Sequence, residues 1–592
     1  MDRNQATGLF LISALLLVYL FFFSPKKPEE AAQTKTPAPT EAAQAPAPAA
    51  VPPAFQPEAA LDSTAGPAQE ARLENDNLDI TFTTRGGRIQ AVRLKKYQTF
   101  FGQPLDLLDA ESARLDMRFR TLDGRTVKFS DLNFAVSTTT KDGAEQLIFI
   151  APVAGGQVMQ TYTLPRDSYE VQYNLRLAGV ALAQEPLTFT FADRVRQTEQ
   201  DLKQNRNHTT INFSYASGDH DALAEASEKP EETKLTEPTR WAAHKHDFFV
   251  AGFIADGQPF SGGTLNSSVD ENDSTYIKAM SSSLRLPLAD VTSTQGGQYR
   301  FFFGPNSFNL LKEVAPEFDR NVYLGWGLFR WVNRFVVLPV FHVLSQFISN
   351  YGLIIALLVL IIKLVTWPLT YKTYESQARM KVLKPELDEL KAKYGDDQTK
   401  VQQETMKLYQ TFGVSPLSGC VPTLLTMPIL FAMFQFFPNA IELRQQSFLW
   451  AKDLSSYDVF MKLPFYIKWY GDHVSMFTLL MTASTLVMTW QSNQMNTAMQ
   501  GPMKFYSYLM PLVFLFVLNS FAAGLTWYYF VSNVITFGQQ AITRSFVDET
   551  KIRAKLEENK VKNKDKKPGG FQARLAEAMR AAQEKERQAK KG

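Results

Sequence analysis

Long apolar stretches lie at two places in this chain, before residue 24 and after residue 350, and the region between them is mostly polar. Residues 352–368 form the clearest apolar run, and they carry a single charge, Lys363. A run of this length and composition can cross a bilayer as a helix. A cation inside such a helix costs roughly 2.5–3.5 kcal/mol on insertion scales, which makes Lys363 a candidate functional residue.

The apolar pattern predicts an α-helical polytopic membrane protein with six membrane-spanning helices. The candidate spans are residues 1–23, about 350–370, 418–437, 474–491, 505–520 and 522–541. Residues 1–23 could be a cleaved signal peptide or a retained anchor. Phe21, Phe22 and Phe23 occupy the positions where signal peptidase needs small side chains, so we predict a retained anchor.

The distribution of Lys and Arg predicts how these helices are oriented. Eight basic residues lie in 371–416 and fifteen in the tail 544–592, whereas the loop 439–473 holds four. Cytoplasmic segments of membrane proteins are enriched in Lys and Arg. We therefore expect 371–416 and the tail in the cytoplasm, and the large polar region on the other side of the membrane.

Between the first two spans the composition changes twice. Residues 24–70 are rich in Pro and Ala and cannot bury a core, so we predict a disordered linker. From residue 71 to about 315, apolar residues recur with a period of two, and turn signals separate the runs. This pattern predicts one large all-β sandwich. His244 and His246 fall in this region; a metal site is conceivable, but we expect two exposed loop histidines.

Three segments outside the spans have distinct patterns. Residues 320–349 interleave aromatic with charged side chains, which is typical of an amphipathic interfacial helix; a helix packed on the β domain is the alternative. Residues 371–416 show helical spacing interrupted at Gly395, which predicts a helical hairpin serving as a stalk or partner platform. The tail 544–592, with fifteen basic and eight acidic residues, suits a contact with ribosomal RNA or anionic lipid, or a solvated tail.

Polar side chains also recur within the predicted spans, where such groups usually face a cavity or one another. They include Thr366, Thr426, Gln435, Gln491, Asn493, Ser532, Asn533 and Gln539. Lys363 precedes Pro368 by about 7.5 Å of helix, so its side chain could instead reach the interface by snorkelling. Residue patterns alone leave both interpretations open. The methionines of the later spans suit either an adaptable surface that binds varied apolar polypeptides or ordinary lipid-facing packing.

Composition and motifs exclude several classes of function. A single cysteine, Cys420, excludes a disulfide framework and a Cys-rich metal site, and the net charge of +3 is unremarkable. The sequence has no Walker-type phosphate loop, no H-E-x-x-H and no G-x-S-x-G motif. We therefore predict no catalytic residue, metal or cofactor. A protein that moves other polypeptides into the membrane would need no catalyst. A segment of twenty apolar residues gains about 0.3–0.6 kcal/mol per residue on entering the bilayer, or roughly 6–12 kcal/mol in all.

Several motifs resemble those of YidC-type membrane protein insertases of the Gram-negative form. The β region opens with Thr-Arg-Gly-Gly-Arg-Ile at residues 84–89 and closes with Phe-Gly-Pro-Asn at residues 303–306. The other matching motifs are residues 1–4, 363–370, 415–422, 427–429 and 524–533. The resemblance covers nearly the whole chain.

This resemblance implies a five-helix insertase core in the bacterial inner membrane, with a hydrophilic groove open to the cytoplasm and lipid and closed toward the periplasm. The residues it implies for the substrate groove are Lys363, Thr366, Thr426, Gln435, Ser532 and Asn533. The residues it implies for contact with the client helix are Met427, Met433, Phe514 and Tyr528. The family usually has Arg where this chain has Lys363; lysine keeps the charge but loses the forked hydrogen-bonding geometry.

The resemblance also implies partners. Nascent membrane proteins would be inserted or chaperoned, alone or with the Sec translocon, without nucleotide hydrolysis, and membrane lipids would surround the core. The ribosome and the signal recognition particle or its receptor are further candidates, through the hairpin and the basic tail. The periplasmic β-sandwich would resemble sugar-binding folds without an established catalytic role.

Two other classes of function stay open from the sequence. A secondary transporter could use Lys363 as a coupling site, although such proteins usually have internal repeats and paired broken helices, which we do not find here. An enzyme acting on sugars in the β domain would need an acid–base pair, and the sequence offers no compelling one.

Overall fold

The structure is a computed structural model that describes residues 67–273, 275–395, 398–414, 421–468, 470–495 and 502–563. The predicted anchor 1–23, nearly all of the predicted linker and residues 564–592 of the tail lie outside the described residues. The described chain is a β domain followed by a helical region. This confirms the predicted β-sandwich and a helical C-terminal region.

The β domain consists of antiparallel strands and three short helices. The strands are β1 Glu70–Glu74, β2 Leu78–Thr83, β3 Arg88–Gln98, β4 Pro104–Leu108, β5 Ala113–Arg120, β6 Thr126–Lys128, β7 Ala135–Lys141, β8 Ala144–Val153, β9 Gly156–Leu164, β10 Glu170–Ala178, β11 Leu187–Arg196, β12 Thr209–Tyr215, β13 His220–Ala222, β14 Glu231–Leu235, β15 Thr239–His246, β16 Phe249–Ala255, β17 Gly263–Ser268, β18 Tyr276–Leu286 and β19 Gly297–Pro305. The helices are α1 Leu202–Asn207, α2 Leu288–Thr292 and α3 Phe308–Val314.

Two large sheets enclose the core of this domain. One has the order β13-β12-β15-β16-β19-β10-β9-β8-β7, and the other has the order β14-β17-β18-β11-β5-β6. A smaller sheet, β1-β2-β3-β4, contributes Leu78 and Phe82 to the same core. Strand β11 alternates buried and half-buried residues over most of its length, as the period of two predicts.

Strands β15 and β16 lie in the middle of the larger sheet and are covered on both faces. One face meets the opposite sheet, and the other packs against α3 and the turn that contains Phe318. All residues of β16 are therefore buried, which explains its continuous apolar run. His244 and His246 lie on β15 and are 0% and 3% exposed, so the prediction of two exposed loop histidines was wrong.

The helical region begins with a helix that precedes the charged span. Its elements are α4 Leu328–Phe347, α5 Tyr351–Val382, α6 Lys384–Tyr394, α7 Gln398–Phe412, α8 Val421–Asn439, α9 Met476–Met495, α10 Pro502–Leu518, α11 Ala523–Phe546 and α12 Glu549–Asn563, with a hairpin of strands β20 Met461–Ile467 and β21 Gly471–Val474. Helix α4 contains one π turn at Asn333–Val337, next to Pro339, whose ring nitrogen cannot donate a helical hydrogen bond.

Among the described residues, two helices are long and apolar enough to cross a membrane, α4 and α5, and the apolar part of α10 is shorter. The predicted count of six spanning helices therefore stays a prediction, as does the interfacial position of α4. The side chain of Asn333 donates hydrogen bonds to the carbonyls of Leu324 at 3.0 Å and Ala432 at 2.8 Å. These bonds tie α4 to both the preceding segment and α8.

Helix α5 continues to Val382, beyond the predicted end near residue 370. Pro368 lies inside it without ending it. The hydroxyl of Thr366 donates to the Ile362 carbonyl at 2.9 Å, and that of Thr370 donates to the Trp367 carbonyl at 2.9 Å. These hydroxyls add hydrogen bonds in the turns around the proline, whereas Pro368 itself has no N–H to donate to the carbonyl of Leu364.

Helices α6, α7 and α12 pack together at the far end of α5. Helix α6 ends at Tyr394, next to the predicted break, and Asp396 and Asp397 lie outside the described residues. The start of the tail is not a free segment: α12 buries Ile552 and Leu556 against the hairpin, and Arg553 pairs with Glu386 at 2.5 Å. Helix α12 was not predicted from the sequence, because its apolar stripe is narrow and charged residues dominate its composition.

The loop between α8 and α9 inserts Arg444 into the β domain. Its guanidinium lies 2.9 Å from a carboxylate oxygen of Glu199 and donates to the Gln98 carbonyl at 2.7 Å, and both charged side chains are buried. Burial raises the pKa of the Glu199 carboxyl to about 7, although Arg444 acts to lower it. The helical region is therefore joined to the β domain through a desolvated ion pair.

We expect Arg444→Met to destabilise this junction by about 3–5 kcal/mol, because it leaves Glu199 buried without a cation. A carboxyl whose folded-state pKa lies above its unfolded value contributes stability at low pH and loses that contribution as the pH rises between the two values. Removing Arg444 takes away a charge that lowers this pKa. The loss of stability in Arg444→Met should therefore be larger at about pH 8 than at about pH 5. Thermal unfolding of the full chain in detergent, followed by circular dichroism, measures it.

Arg93→Met is the matched control, because Arg93 pairs with Asp106 at the exposed surface. Such pairs contribute about 0–1 kcal/mol. The double variant Arg444→Met with Glu199→Gln should recover part of the loss. If Arg444→Met and Arg93→Met unfold at the same temperature at both pH values, the buried pair does not hold the junction.

Candidate functional site

Helices α5 and α11 lie side by side and are joined by side-chain hydrogen bonds along their length. The indole of Trp527 donates to the Gly352 carbonyl at 2.9 Å near one end. The amide of Gln539 donates to the Lys363 carbonyl at 2.9 Å farther along. These bonds fix the position of the α5 backbone at Lys363.

Lys363 is half-buried in α5. Within the described residues, its ammonium has neither a hydrogen bond nor an ion pair. A charge in such surroundings needs water or an opposite charge to compensate its lost hydration. Lys363 is therefore a candidate to bind a polar or acidic group.

Helix α11 is also joined to α9 by polar side chains. The amide nitrogen of Asn533 donates to the hydroxyls of Ser484 at 3.0 Å and Thr485 at 2.9 Å. Both hydroxyls in turn donate to the carbonyl of Met481 in their own helix. Gln491 lies seven residues after Ser484 and thus on a similar face of α9. Gln491 is buried, and its side-chain oxygen has no hydrogen bond among the described residues.

We call these residues on α5, α9 and α11 the polar seam. It consists of Lys363, Ser484, Thr485, Gln491, Asn533 and Gln539. Two of the predicted groove residues take part in these contacts: the Lys363 carbonyl accepts a hydrogen bond from Gln539 of α11, and Asn533 of α11 donates to α9. Gln539, Ser484 and Thr485 were not assigned to the groove from the sequence, although Gln539 belongs to the polar pattern of the last span.

The other predicted groove residues have different surroundings. The Thr366 hydroxyl is bonded within its own helix, and Ser532 is half-buried beside Asn533. The side chain of Gln435 packs on Gly325, in the segment before α4, and no described contact links it to the polar seam. The side chain of Thr426 lies outside the described residues. The groove role of these four residues stays a prediction.

Two of the four predicted client contacts are buried in this conformation. Met433 is 0% exposed and Tyr528 is 5% exposed, and both belong to the apolar core of the helical region. The Tyr528 ring packs against Phe437, with ring centroids 5.5 Å apart. Their contact with a client stays a prediction. Phe514 on α10 is 42% exposed, and Met427 on α8 is partly exposed.

Helix α10 presents most of its side chains to the outside. Its exposed apolar residues are Phe505, Tyr506, Leu509, Met510, Leu512, Val513, Phe514, Phe516 and Val517. It is tied to α9 by a hydrogen bond of 2.9 Å from the Asn493 amide to the Ser507 hydroxyl. The helical region therefore combines a polar seam inside with an apolar surface outside, the arrangement expected of a protein surrounded by lipid.

Comparison with known proteins gives matches over nearly the whole chain. A family model described as "60Kd inner membrane protein" matches residues 343–550, and one described as "YidC periplasmic domain" matches residues 70–338. The protein "Membrane protein insertase YidC" of Amoebophilus asiaticus is 42% identical over 98% of this chain and 99% of its own length. The protein of the same name from Cytophaga hutchinsonii is 44% identical over 100% of this chain and 99% of its own length.

One solved structure, entitled "Active YidC insertase crystal structure with the first transmembrane domain resolved", is 18% identical in sequence. The match covers 80% of this chain and 92% of that chain, with a TM-score of 0.33.

We expect the Asn533 bonds to couple α11 to α9 by about 0.6 kcal/mol, and at most about 1.7 kcal/mol, as for other interhelical hydrogen bonds in membranes. A double-mutant cycle of Asn533→Ala with Thr485→Val, measured by unfolding of the full chain in mixed detergent, determines this coupling.

The matched control is a cycle of Asn533→Ala with Thr536→Val. The Thr536 hydroxyl donates to the Ser532 carbonyl within α11 and does not reach α9. Coupling that is absent from the first cycle, or equal in the two cycles, would contradict the interhelical role of Asn533.

Proposed function

The chain belongs to the YidC family of membrane protein insertases, and we propose that it receives its clients at the polar seam between α5, α9 and α11. The family is a bacterial inner-membrane family whose β domain is periplasmic. The observation that carries the proposal is the ammonium of Lys363, which has no partner among the described residues and extends from a backbone that the Gln539 bond holds in position.

Lys363 would attract acidic residues in the part of a client that must cross the membrane. Two opposite charges 4 Å apart attract by about 4 kcal/mol at an effective dielectric constant of 20, and by about 1 kcal/mol in bulk water. A half-buried site therefore strengthens an attraction that the open cytoplasm would weaken. Lysine presents a point charge on a flexible stem, so the proposal needs proximity of a carboxylate and no defined orientation.

The end of the helical region that carries the β domain is densely bonded, which supports a groove closed on the periplasmic side. The carboxylate of Asp458 accepts a hydrogen bond from the Met476 backbone at the start of α9. The Asn519 amide donates to the carbonyls of Tyr470 at 2.9 Å and His473 at 2.8 Å. These contacts leave the opposite, cytoplasmic end as the entrance for a client.

The apolar outside of the helices would guide release. A client helix gains about 0.3–0.6 kcal/mol per apolar residue on entering the bilayer centre, so no nucleotide or cofactor is required. Phe514 and Met427 are the accessible residues that we propose as contacts for this helix. The packed helices α6, α7 and α12 would form the cytoplasmic platform for the ribosome, the signal recognition particle or its receptor, and the Sec translocon would be a membrane partner.

The interpretation as a secondary transporter is not supported, because the relatives with high identity are insertases. The proposed mechanism assigns no catalytic residue. It uses a fixed charge and partitioning of the client.

We expect Lys363→Leu to reduce insertion of clients with acidic translocated tails by roughly tenfold, which corresponds to about 1.4 kcal/mol of lost attraction. Lys363→Arg should retain insertion, because arginine keeps the charge. Complementation of an insertase-depleted strain, with protease protection of a reporter client, measures both.

The internal control is the same client with its acidic tail residues changed to Asn and Gln. Insertion of this neutral client should not respond to Lys363→Leu. Equal insertion of the acidic client by the wild type and Lys363→Leu would exclude the role of the charge.

A further inference from the structure

A second group of buried polar side chains lies inside the β domain, away from the membrane helices. Asp193 on β11 is 2% exposed, and it faces His244 and His246 on β15 across the space between the two large sheets. The alternation of β11 places Asp193 in a series with Phe189, Phe191 and Val195, where an apolar residue is expected. Three polar side chains thus lie together in the interior of the domain.

The donor atoms of these residues converge. Nε2 of His246 lies 2.5 Å from Oδ2 of Asp193, and Nδ1 of His244 lies 3.9 Å from the same oxygen. One donor atom from each residue lies within 4.8 Å of the others. Donors bound tetrahedrally to Zn²⁺ at about 2.1 Å lie about 3.4 Å apart. The observed separations from Asp193 bracket this value, so modest side-chain rotations would bring all three onto one ion.

These donor atoms have no other partner among the described residues. Neither carboxylate oxygen of Asp193 has a hydrogen bond of acceptable geometry, and neither has Nδ1 of His244 nor Nε2 of His246. Native proteins rarely leave buried polar atoms unsatisfied, because each costs about 1–3 kcal/mol. One atom from each residue converges on the same place, so a shared partner would satisfy all three.

The contacts of His244 determine which of its ring nitrogens faces Asp193. Its Nε2 lies 2.8 Å from the hydroxyl of Ser282, and its ring stacks on Phe191 with centroids 4.1 Å apart. Ser282 and Phe191 are cross-strand partners in the β18–β11 pair. Histidines that bind metals usually have the second ring nitrogen hydrogen-bonded in this way, which sets the ring orientation.

We propose that Asp193, His244 and His246 form a transition-metal site that joins the two sheets of the periplasmic domain. Two imidazoles and one carboxylate favour Zn²⁺ over Ca²⁺ or Mg²⁺, which prefer oxygen donors alone. Three protein ligands leave one tetrahedral position, which a water molecule would fill. The surrounding core closes the site to substrates, so its role is structural. The metal enters while the domain folds, and the main alternative is an ion pair between Asp193 and a protonated His246.

The test uses the full chain, purified in detergent through an affinity tag without histidines from cells grown with added Co²⁺ in low-zinc medium. We expect about one equivalent of cobalt per chain and the visible absorption of a tetrahedral Co²⁺ centre. Asp193→Asn, which keeps the shape of the side chain, and His246→Asn should each lower the metal content at least fivefold. His220→Asn and His342→Asn alter histidines outside the cluster and should retain it.

Two results would overturn the proposal: wild-type protein without cobalt or zinc above the buffer level, or metal content that is unchanged in Asp193→Asn and His246→Asn. If the core variants fail to fold, the wild-type protein still decides. A tetrahedral spectrum that survives His220→Asn and His342→Asn supports the site, and its absence excludes it. Because the readouts are metal content and absorption, they are independent of insertion activity.

Discussion

The contact between α5 and α11 is the one on which the helical region depends. Side chains of α11 donate to the α5 backbone at Gly352 and Lys363, so the two helices share a fixed register. Gly352 is required at one end, because a Cβ there would lie 2.1 Å from the Phe448 ring. Helix α11 also bonds α9 through Asn533 and packs Tyr528 on α8. One helix therefore positions α5, α8 and α9 relative to one another.

The β domain acts on this arrangement from outside the membrane. Besides Arg444, the Gln204 amide donates to the Ser520 carbonyl at 2.7 Å, directly before α11 begins. The Ser456 hydroxyl donates to the Gln200 side chain at 2.6 Å. Because these contacts reach the loops at the ends of α9, α10 and α11, the β domain holds the periplasmic end of the bundle together. Motion that admits a client is then expected at the cytoplasmic end.

The sequence predicted those features that rest on a period or on a charge. The period of two located the sandwich, and the interruption at Gly395 located the turn of the hairpin. The prediction failed where both faces of an element are covered. A helix that is apolar all around does not reveal which side packs and which meets lipid, so the sequence could not show that Met433 and Tyr528 are buried in this conformation. His244 and His246 were misplaced because β15 is a central strand with no solvent-facing side.

Most buried charges among the described residues have partners, and the exceptions are informative. Arg444 is neutralised by Glu199, and Lys245 by Glu225 at 2.8 Å. Lys363 has no such partner within the described residues. The cluster around Asp193 sets one carboxylate against two histidines that are charged only if protonated. The difference between them lies in access. Lys363 is half-buried, so under the proposed function its partner can be transient and belong to a client. Asp193 is enclosed by two sheets, so any partner must be acquired on folding and retained.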